Sequence, residues 1–272
     1  MSATERPLGL CHLGFLEIPP PDLIDLAADA GFDAVSLRTR PVTAGAVAYP
    51  LNQPAVAAAT RIRLAATGLK LWQVEIVTVD RDTDVPALRP FFDAGAQLGA
   101  RAVVATGDDA PAPLAEKLGS LGELAAAYGM SVDLEFMRFR RLDTLASALA
   151  VVRAVDRTNV RVLVDTLHLA RAGATPSDLA GIPDAVIGGV QLADAPAAAP
   201  PPDRLATEAR EGRVLPGDGA LPLSAVLRAL PSHVPLSAEV PLAPAYGTLD
   251  APTRARRIHD ATRRLIETTF RG

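Results

Sequence analysis

Eight short runs of β-branched or apolar residues recur along the chain, and a longer segment with helical periodicity follows each of them. The runs begin near Leu8, Asp33, Leu69, Arg101, Ser131, Arg161, Val186 and Leu236. Each parallel strand needs a crossover helix before the next, so this alternation predicts a single closed (β/α)8 TIM barrel of the α/β class. No polar linker or change of composition divides the chain, which predicts one domain over residues 1–272.

The end of the first strand separates this barrel from the doubly wound sheet. A doubly wound sheet that binds nucleotides carries a glycine-rich phosphate loop after an early strand. Here the first run passes through Cys11, His12 and Phe15 into prolines, and the chain contains neither G-x-G-x-x-G nor G-x-x-x-x-G-K-S/T. The sequence therefore argues against nicotinamide and nucleotide chemistry.

Composition and charge exclude several kinds of partner. With 49% apolar and 21% charged residues, the chain can bury a large core. Its 27 basic and 31 acidic residues give a net charge of −4, which argues against binding to nucleic acid or to an anionic membrane. We therefore expect a small-molecule substrate, and the sequence leaves room for a homo-oligomer.

The single cysteine and the N-terminal segment bear on the cellular compartment. Cys11 alone excludes an internal disulfide and a Cys-based zinc cluster. The first residues lack the basic segment and the apolar run of a signal peptide. Both features predict a cytoplasmic protein.

Polar residues stand where the runs end, which is where a barrel of this kind places its functional groups. In chain order they are His12, Arg38, Glu75, Asp108, Asp109, Glu135, Asp165, His168, Gln191, Asp194 and Glu239. We expect His12, Arg38 and Glu75, from the first three strands, to contact the substrate. A histidine at such a position also commonly fills the end of the core.

The last four strands end in side chains with oxygen donors: Glu135, Asp165, Gln191 and Glu239. A lone carboxylate at a strand end more often caps the next helix or pairs with an arginine. Four such residues on consecutive strands instead converge on one point, where the carboxylates repel each other unless a cation lies between them. We predict a divalent metal ion at this point. Oxygen donors favour Mn²⁺ or Mg²⁺ and leave Co²⁺ and Zn²⁺ open.

The remaining candidates lie beside the same strand ends. His168 follows Asp165 by three residues, so it can reach the substrate or support the metal ligands. The proline-rich segment of residues 192–221 lacks a clear helix–strand alternation, and long loops in barrels are commonly lids. It carries Arg210 and Arg213, which could hold a carboxylate or phosphate of the substrate or could be ordinary surface arginines.

The order of these residues resembles the xylose isomerase-like TIM barrels, the sugar phosphate isomerase/epimerase superfamily. The resemblance covers nearly the whole chain and is carried by V-D-L-E-F-M from Val132, V-D-T-L-H-L-A-R-A-G from Val164, V-Q-L-A-D-A-P from Val190, R-V-L-P-G-D-G-A-L-P-L from Arg213 and A-E-V-P from Ala238. It implies that Glu135, Asp165, Gln191 and Glu239 hold the metal and that His168 faces the substrate. Family members usually have a histidine where this chain has Gln191, and an amide oxygen in that place binds a metal more weakly.

This arrangement predicts an isomerase, an epimerase or a related lyase that acts on a sugar, a polyol or another hydroxy-keto compound. The metal would stabilise an enediolate while Glu135 and Glu239 remove and return a proton, with His168 as a further catalytic residue. The sequence does not choose between isomerisation, epimerisation and dehydration.

Two other functions compete with this prediction. A hydrolase related to the apurinic endonucleases would need a histidine-rich site and a basic groove, and the four histidines and the net charge oppose it. A ligand-binding barrel without catalysis would be consistent with Gln191, but Glu135, Asp165, His168 and Glu239 argue against a decayed site.

Overall fold

The computed structural model describes residues 6–43, 45–243 and 248–271. Eight parallel strands pair in sequence order, and β8 pairs with β1 to close the barrel. The strands are β1 (Leu8–Cys11), β2 (Ala34–Arg38), β3 (Lys70–Val79), β4 (Ala102–Gly107), β5 (Ser131–Glu135), β6 (Val160–Asp165), β7 (Ile187–Leu192) and β8 (Leu236–Ala238). This confirms the single (β/α)8 TIM barrel, and each strand begins within one residue of its predicted start.

Helices connect successive strands. They are α1 (Pro20–Ala30), α2 (Pro54–Thr67), α3 (Arg89–Gln97), α4 (Pro111–Ala127), α5 (Leu145–Val155), α6 (Thr166–Arg171), α7 (Pro176–Leu179), α8 (Leu205–Glu211), α9 (Leu223–Ala229) and α10 (Ala251–Phe270). In the described part of the chain, no helix is both long and apolar enough to cross a membrane.

Local sequence signals explain where the helices begin and end. Pro20 occupies the first position of α1, and Gly31 ends that helix with a φ of 93°, a conformation that glycine adopts without strain. Thr144 and Ser147 form a reciprocal cap at the start of α5. Leu142 therefore precedes α5 and is buried in the core beside it.

The strands are buried on both faces, as expected of a parallel barrel wrapped by helices. Buried polar side chains lie two residues apart on the same face of several strands, as Gln73 and Glu75 do on β3 and Asp133 and Glu135 do on β5. The carboxyl ends of all eight strands therefore surround one opening, and the predicted site residues have to be sought there.

The segment of residues 192–221 contains a helix, α8, which the sequence analysis did not predict. The carboxylate of Glu208 on α8 accepts two hydrogen bonds from the guanidinium of Arg171, at 2.7 and 2.8 Å. Asp194 accepts backbone N–H groups from Gly217 and Leu221 at 3.0 Å each. These bonds hold the segment over the carboxyl end of the barrel, and we call residues 192–221 the lid.

Candidate active site

Glu135, Asp165, Gln191 and Glu239 all lie at the carboxyl end of the barrel. Glu135 and Asp165 are the last residues of β5 and β6, and Glu239 directly follows β8. Asp165 is paired in register with Gln191 of β7. All four side chains are buried. The structure therefore brings together the four residues for which we predict metal binding.

The guanidinium of Arg213 lies between two of these carboxylates. Its Nη1 is 2.5 Å from Asp165 Oδ2, and its Nη2 is 3.0 Å from Glu239 Oε2. Burial lowers the pKa of Arg213, but the two carboxylates outweigh burial and raise it above its ordinary value. Arg213 is thus a permanently charged cation at the point where the strand ends converge. It is not an ordinary surface arginine.

Asp165 has two of the structural roles that a lone strand-end carboxylate often has. Its Oδ1 caps α6 by accepting the backbone N–H of His168 at 2.9 Å, and its Oδ2 pairs with Arg213. Burial raises the pKa of Asp165, but Arg213 and His168 more than offset this effect and leave the pKa below its usual value. Asp165 is therefore ionised at neutral pH.

Gln191 offers an oxygen that the described part of the chain does not use. Its Nε2 donates to Glu239 Oε1 at 3.2 Å and to Cys11 Sγ at 3.5 Å, whereas its buried Oε1 has no hydrogen-bond partner among the described residues. Ligand atoms of Glu135, Asp165 and His168 lie within 4.8 Å of one another. The ligand atoms of Glu239 belong to a second such group, with Cys11 and Glu75, and the Gln191 amide lies beside Glu239. Glu135, Asp165 and His168 therefore fit a metal ion as they stand, with Gln191 and Glu239 next to them.

Burial and mutual repulsion set the protonation of the glutamates. Burial raises the pKa of Glu239 to about 8 despite the neighbouring Arg213. Burial, together with the charges of Glu239 and Asp165, raises the pKa of Glu135 well above its usual range. Without another cation, Glu239 therefore retains its proton at neutral pH, and a bound cation would favour the ionised forms of both glutamates.

His168 is a neutral imidazole at neutral pH. Burial lowers its pKa to about 4, although the charge of Asp165 acts in the opposite direction. Its Nε2 lies 3.8 Å from Glu135 Oε1, and its ring meets that of Phe139 edge-on at 5.6 Å between centroids. His168 can therefore exchange hydrogen bonds with a substrate without adding charge to the site.

His12, Arg38 and Glu75 form a chain of contacts next to these residues. His12 is fully buried; its Nδ1 accepts the backbone N–H of Arg38 at 3.1 Å, and its Nε2 donates to the carbonyl of Ile18 at 2.9 Å. Glu75 lies within β3 rather than at its end, and its Oε2 accepts from Arg38 Nη2 at 3.2 Å. Both ring nitrogens of His12 are engaged, so His12 supports the position of Arg38 rather than reaching a ligand itself.

A cavity of about 60 Å³ lies above the buried residues, and we call it the mouth. Its wall consists of Leu13, Arg38, Val42, Ile76, Glu135, Met137, Phe139, Arg140, His168, Ala209, Arg210, Arg213 and Glu239. This volume holds about two water molecules, so a sugar-sized ligand requires the lid to move outward. Sequence analysis missed Met137, Phe139 and Arg140, although they closely follow Glu135 along the chain.

The two arginines of the lid have different environments. Arg213 is buried against the carboxylates, whereas Arg210 is exposed at the rim of the mouth. Arg210 forms no ion pair with any residue that the structure describes. The strand-end residues Asp108 and Asp109 pair with Arg140 and Arg81, at 2.9 and 2.6 Å.

Comparison with known proteins gives the family of this barrel. Residues 24–265 match the model of the xylose isomerase-like TIM barrel family. The chain belongs to this family, which confirms the resemblance seen in its motifs.

The individual proteins that resemble the chain share only a minority of its residues. The chain is 32% identical over 160 residues to a 3-dehydroshikimate dehydratase from Pseudomonas aeruginosa, a match that covers 57% of this chain and 24% of the relative. The chain thus spans about a quarter of the length of that enzyme. Among solved structures, a fusion protein of a xylose isomerase-like TIM barrel with 4-hydroxyphenylpyruvate dioxygenase superposes with a TM-score of 0.80 at 21% identity, over 97% of this chain and 43% of that chain.

A third similar protein was solved with a metal. The crystal structure of the IOLI protein with a bound zinc atom superposes with a TM-score of 0.81 at 20% identity, over 96% of this chain and 98% of the other. At these identities the two solved structures establish the fold of the chain, and its chemistry has to be argued from its own residues.

Proposed function

We propose that this protein is a divalent-metal-dependent lyase that removes water from a small hydroxy-keto acid, as the name of the 3-dehydroshikimate dehydratase that it resembles implies for that enzyme. The metal would be held by Glu135, Asp165, Gln191 and Glu239, with Mn²⁺ or Mg²⁺ favoured by the oxygen donors. When bound, such an ion stabilises negative charge that develops on substrate oxygens.

The arginines around the mouth are the observation that supports an acidic substrate. Arg140 and Arg210 line it, and Arg140 Nε is buried without a hydrogen-bond partner in the described part of the chain. Arg210 has an exposed guanidinium free of ion pairs with described residues. Arg140 already pairs with Asp108, so Arg210 is the arginine whose charge a substrate carboxylate would match and a neutral ketose would leave unpaired.

Glu135 and Glu239 are the residues that move the proton. They end strands three apart, so a substrate between them meets a carboxylate on either side. One carboxylate takes the proton from the carbon next to the carbonyl. In dehydration, the hydroxyl on the following carbon leaves with that proton as water. His168 can hold a substrate oxygen by a hydrogen bond from its neutral ring.

Epimerisation is the second candidate, and the same pair of glutamates favours it. If no hydroxyl leaves, the second carboxylate can return a proton to the opposite face of the carbon, which inverts its configuration. The two reactions therefore differ in the substrate that the mouth accepts rather than in the residues that remove the proton.

The direct test offers 3-dehydroshikimate and D-fructose to the protein, after chelation and again with added Mn²⁺. We expect 3,4-dihydroxybenzoate to appear from the acid only with metal, which ultraviolet absorbance would follow. Epimerisation of the ketose with no reaction of the acid would instead support the epimerase. Metal binding without turnover of either compound would point to a ligand-binding barrel.

Arg210 provides a test of the acidic substrate. Replacing Arg210 by Gln should raise KM for the acid about tenfold or more, because a charge-assisted hydrogen bond is worth about 1.5–3 kcal/mol. Arg204→Gln, another exposed arginine of the lid, is the matched control and should leave KM unchanged. Equal KM values for Arg210→Gln and the wild type would remove the argument for a carboxylate.

A further inference from the structure

The end of the barrel opposite the mouth contains a second cavity, of about 570 Å³. Trp72, Arg101, Ser131, Arg161, Gly188 and Ser237 are among its wall residues, and each lies at or near the beginning of a strand. We call it the lower cavity. Its volume is within the range of small-molecule sites, whereas the proposed function uses only the mouth.

Two β-bulges shape the lower cavity. Val35 pairs with Leu71 and Ser36 pairs with Gln73, so β3 has one extra residue, Trp72, between these two pairs. In β7, the extra residue against β6 is Gly188. A bulge redirects the side chain of its extra residue. Trp72 accordingly packs against Gly9, where a Cβ atom would lie 2.9 Å from the indole ring.

A buried polar network forms one wall of the lower cavity. Asp133 is 1% exposed and accepts hydrogen bonds from Gln73 Nε2 at 2.8 Å and from Arg161 Nη2 at 2.9 Å. Gly188 makes room for this carboxylate, because a Cβ atom there would lie 2.1 Å from Asp133 Oδ1. The Asp133 charge is thus matched by Arg161. Gln73 and Arg161 together hold the Asp133 carboxylate in place.

Positive charge and unused donors remain after this pairing. Arg161 Nε is buried and has no hydrogen-bond partner among the described residues. Arg101 is exposed at the same cavity and makes no ion pair within the described ranges. The wall therefore combines one unbalanced cation, a buried N–H donor and an indole ring. Guanidinium groups bind carboxylates through paired N–H donors, and an aromatic ring provides a flat apolar surface beside them.

We propose that the lower cavity is a second binding site, for a small planar carboxylate. The carboxylate binds to Arg101 beside the guanidinium of Arg161, and the flat part of the ligand packs beside Trp72. This site is independent of the metal and of the reaction at the mouth.

The chain provides its own probe for the lower cavity, because Trp72 is its single tryptophan. Benzoate should change the Trp72 fluorescence in a saturable way, in chelated protein, and isothermal titration calorimetry should give the same Kd. Benzamide, which has the same shape without the charge, should bind at least about tenfold more weakly if the arginines recognise a carboxylate. Inorganic phosphate tests whether any small anion suffices; phosphate that matches benzoate in affinity would overturn the preference for a planar carboxylate.

Variants locate the binding on the molecule. Arg101→Gln should weaken benzoate binding about tenfold and leave turnover at the mouth unchanged. Arg257 on α10 is an exposed arginine that does not line this cavity. Arg257→Gln is therefore the matched control and should bind benzoate as the wild type does. Arg161→Lys keeps the charge beside Asp133 but loses the planar guanidinium, and it should also weaken binding.

Two results would overturn the second site. One is the absence of saturable benzoate binding by both fluorescence and calorimetry. The other is binding that Arg210→Gln abolishes while Arg101→Gln and Arg161→Lys leave it intact, since that result would assign the ligand to the mouth.

Discussion

At the residue scale, Arg213 has the largest electrostatic effect in the candidate site. A buried charge is tolerated only when it is paired, and Arg213 pairs with Asp165 and Glu239 at once. The same two carboxylates are proposed metal ligands. The guanidinium and a divalent ion therefore satisfy the same negative charge, and the protein without metal does not leave that charge unpaired.

Removing the guanidinium of Arg213 should show how strongly the stability of the protein depends on a cation at this site. Arg213→Met should destabilise the chelated protein by about 3–5 kcal/mol, because it leaves the ionised, buried carboxylate of Asp165 without its cation. Saturating Mn²⁺ should recover much of this loss, as measured by urea unfolding with and without the ion. Arg210→Met is the matched control and should change stability by less than about 0.5 kcal/mol. A loss in Arg213→Met that Mn²⁺ leaves unaltered would contradict metal binding at these carboxylates.

A variant of Glu239 can distinguish a loss of catalysis from a loss of metal binding. Glu239→Gln keeps the size and one oxygen ligand but removes the base, so turnover should fall at least about 10²-fold. Metal content, measured by atomic emission on the purified protein, should fall less than activity. Glu211→Gln on the surface of the lid serves as the control. Full turnover by Glu239→Gln would show that this residue is not the base.

His12 makes the stability of the protein depend on pH. Burial lowers its pKa to about 4, and the nearby charge of Arg38 acts in the same direction. The unfolded chain, with a pKa near 6.5, then binds more protons than the folded chain, so the His12 contribution is complete above about pH 6.5 and is lost as pH falls towards 4. At pH 5 the loss is about 2 kcal/mol.

A variant isolates this contribution from that of His168, whose pKa is lowered in the same direction. His12→Gln lacks the titrating ring, so urea unfolding at neutral pH and near pH 5 should show a smaller loss than in the wild type. Parallel pH curves for the two proteins would mean that His12 does not control this dependence.

At the scale of elements, polar contacts that are mostly only partly buried hold the lid. Arg171 Nη2 donates to Glu208 on α8 and also to the carbonyl of Pro196, at 2.7 and 2.8 Å. Asp194 fixes the return of the lid towards β8 through the backbone of Gly217 and Leu221. Since the closed mouth is smaller than a sugar, opening and closing of this lid should accompany each turnover.

The Arg171–Glu208 pair should control how often the lid opens. Glu208→Gln loses the charge that matches Arg171, so α8 should open more readily, by about 2 kcal/mol for a charged hydrogen bond. Hydrogen exchange of residues 205–211 should accelerate and KM should rise. Glu211→Gln, three residues further along α8 and exposed, should change neither. Unchanged exchange in Glu208→Gln would show that other contacts hold the lid.

At the scale of the whole molecule, the barrel keeps its two ends apart. Gln73 and Asp133 in the wall of the lower cavity lie two residues before Glu75 and Glu135 on β3 and β5. The lid covers one end, whereas the two bulges shape the other. The variants chosen for each site therefore use arginines that line only one of the two cavities, Arg101 and Arg161 at the lower cavity and Arg210 at the mouth.

Sequence alone determined the barrel and the residues at its carboxyl end. Alternating strands and helices depend on local periodicity and on Pro and Gly at helix ends, and these are visible in a single chain. The predicted strand positions also placed Glu135, Asp165 and Glu239 at the carboxyl ends of their strands. The motif order was sufficient to identify the family that the comparison confirmed.

Only the tertiary structure decided how those residues are used. Arg213 is 48 positions from Asp165, and the two meet only because the lid folds back over the mouth. The register shift that turns Trp72 into the lower cavity arises from the pairing of β2 with β3, and no residue pattern within β3 reveals it. Such contacts depend on how distant segments pack, and a local pattern contains no information about that packing.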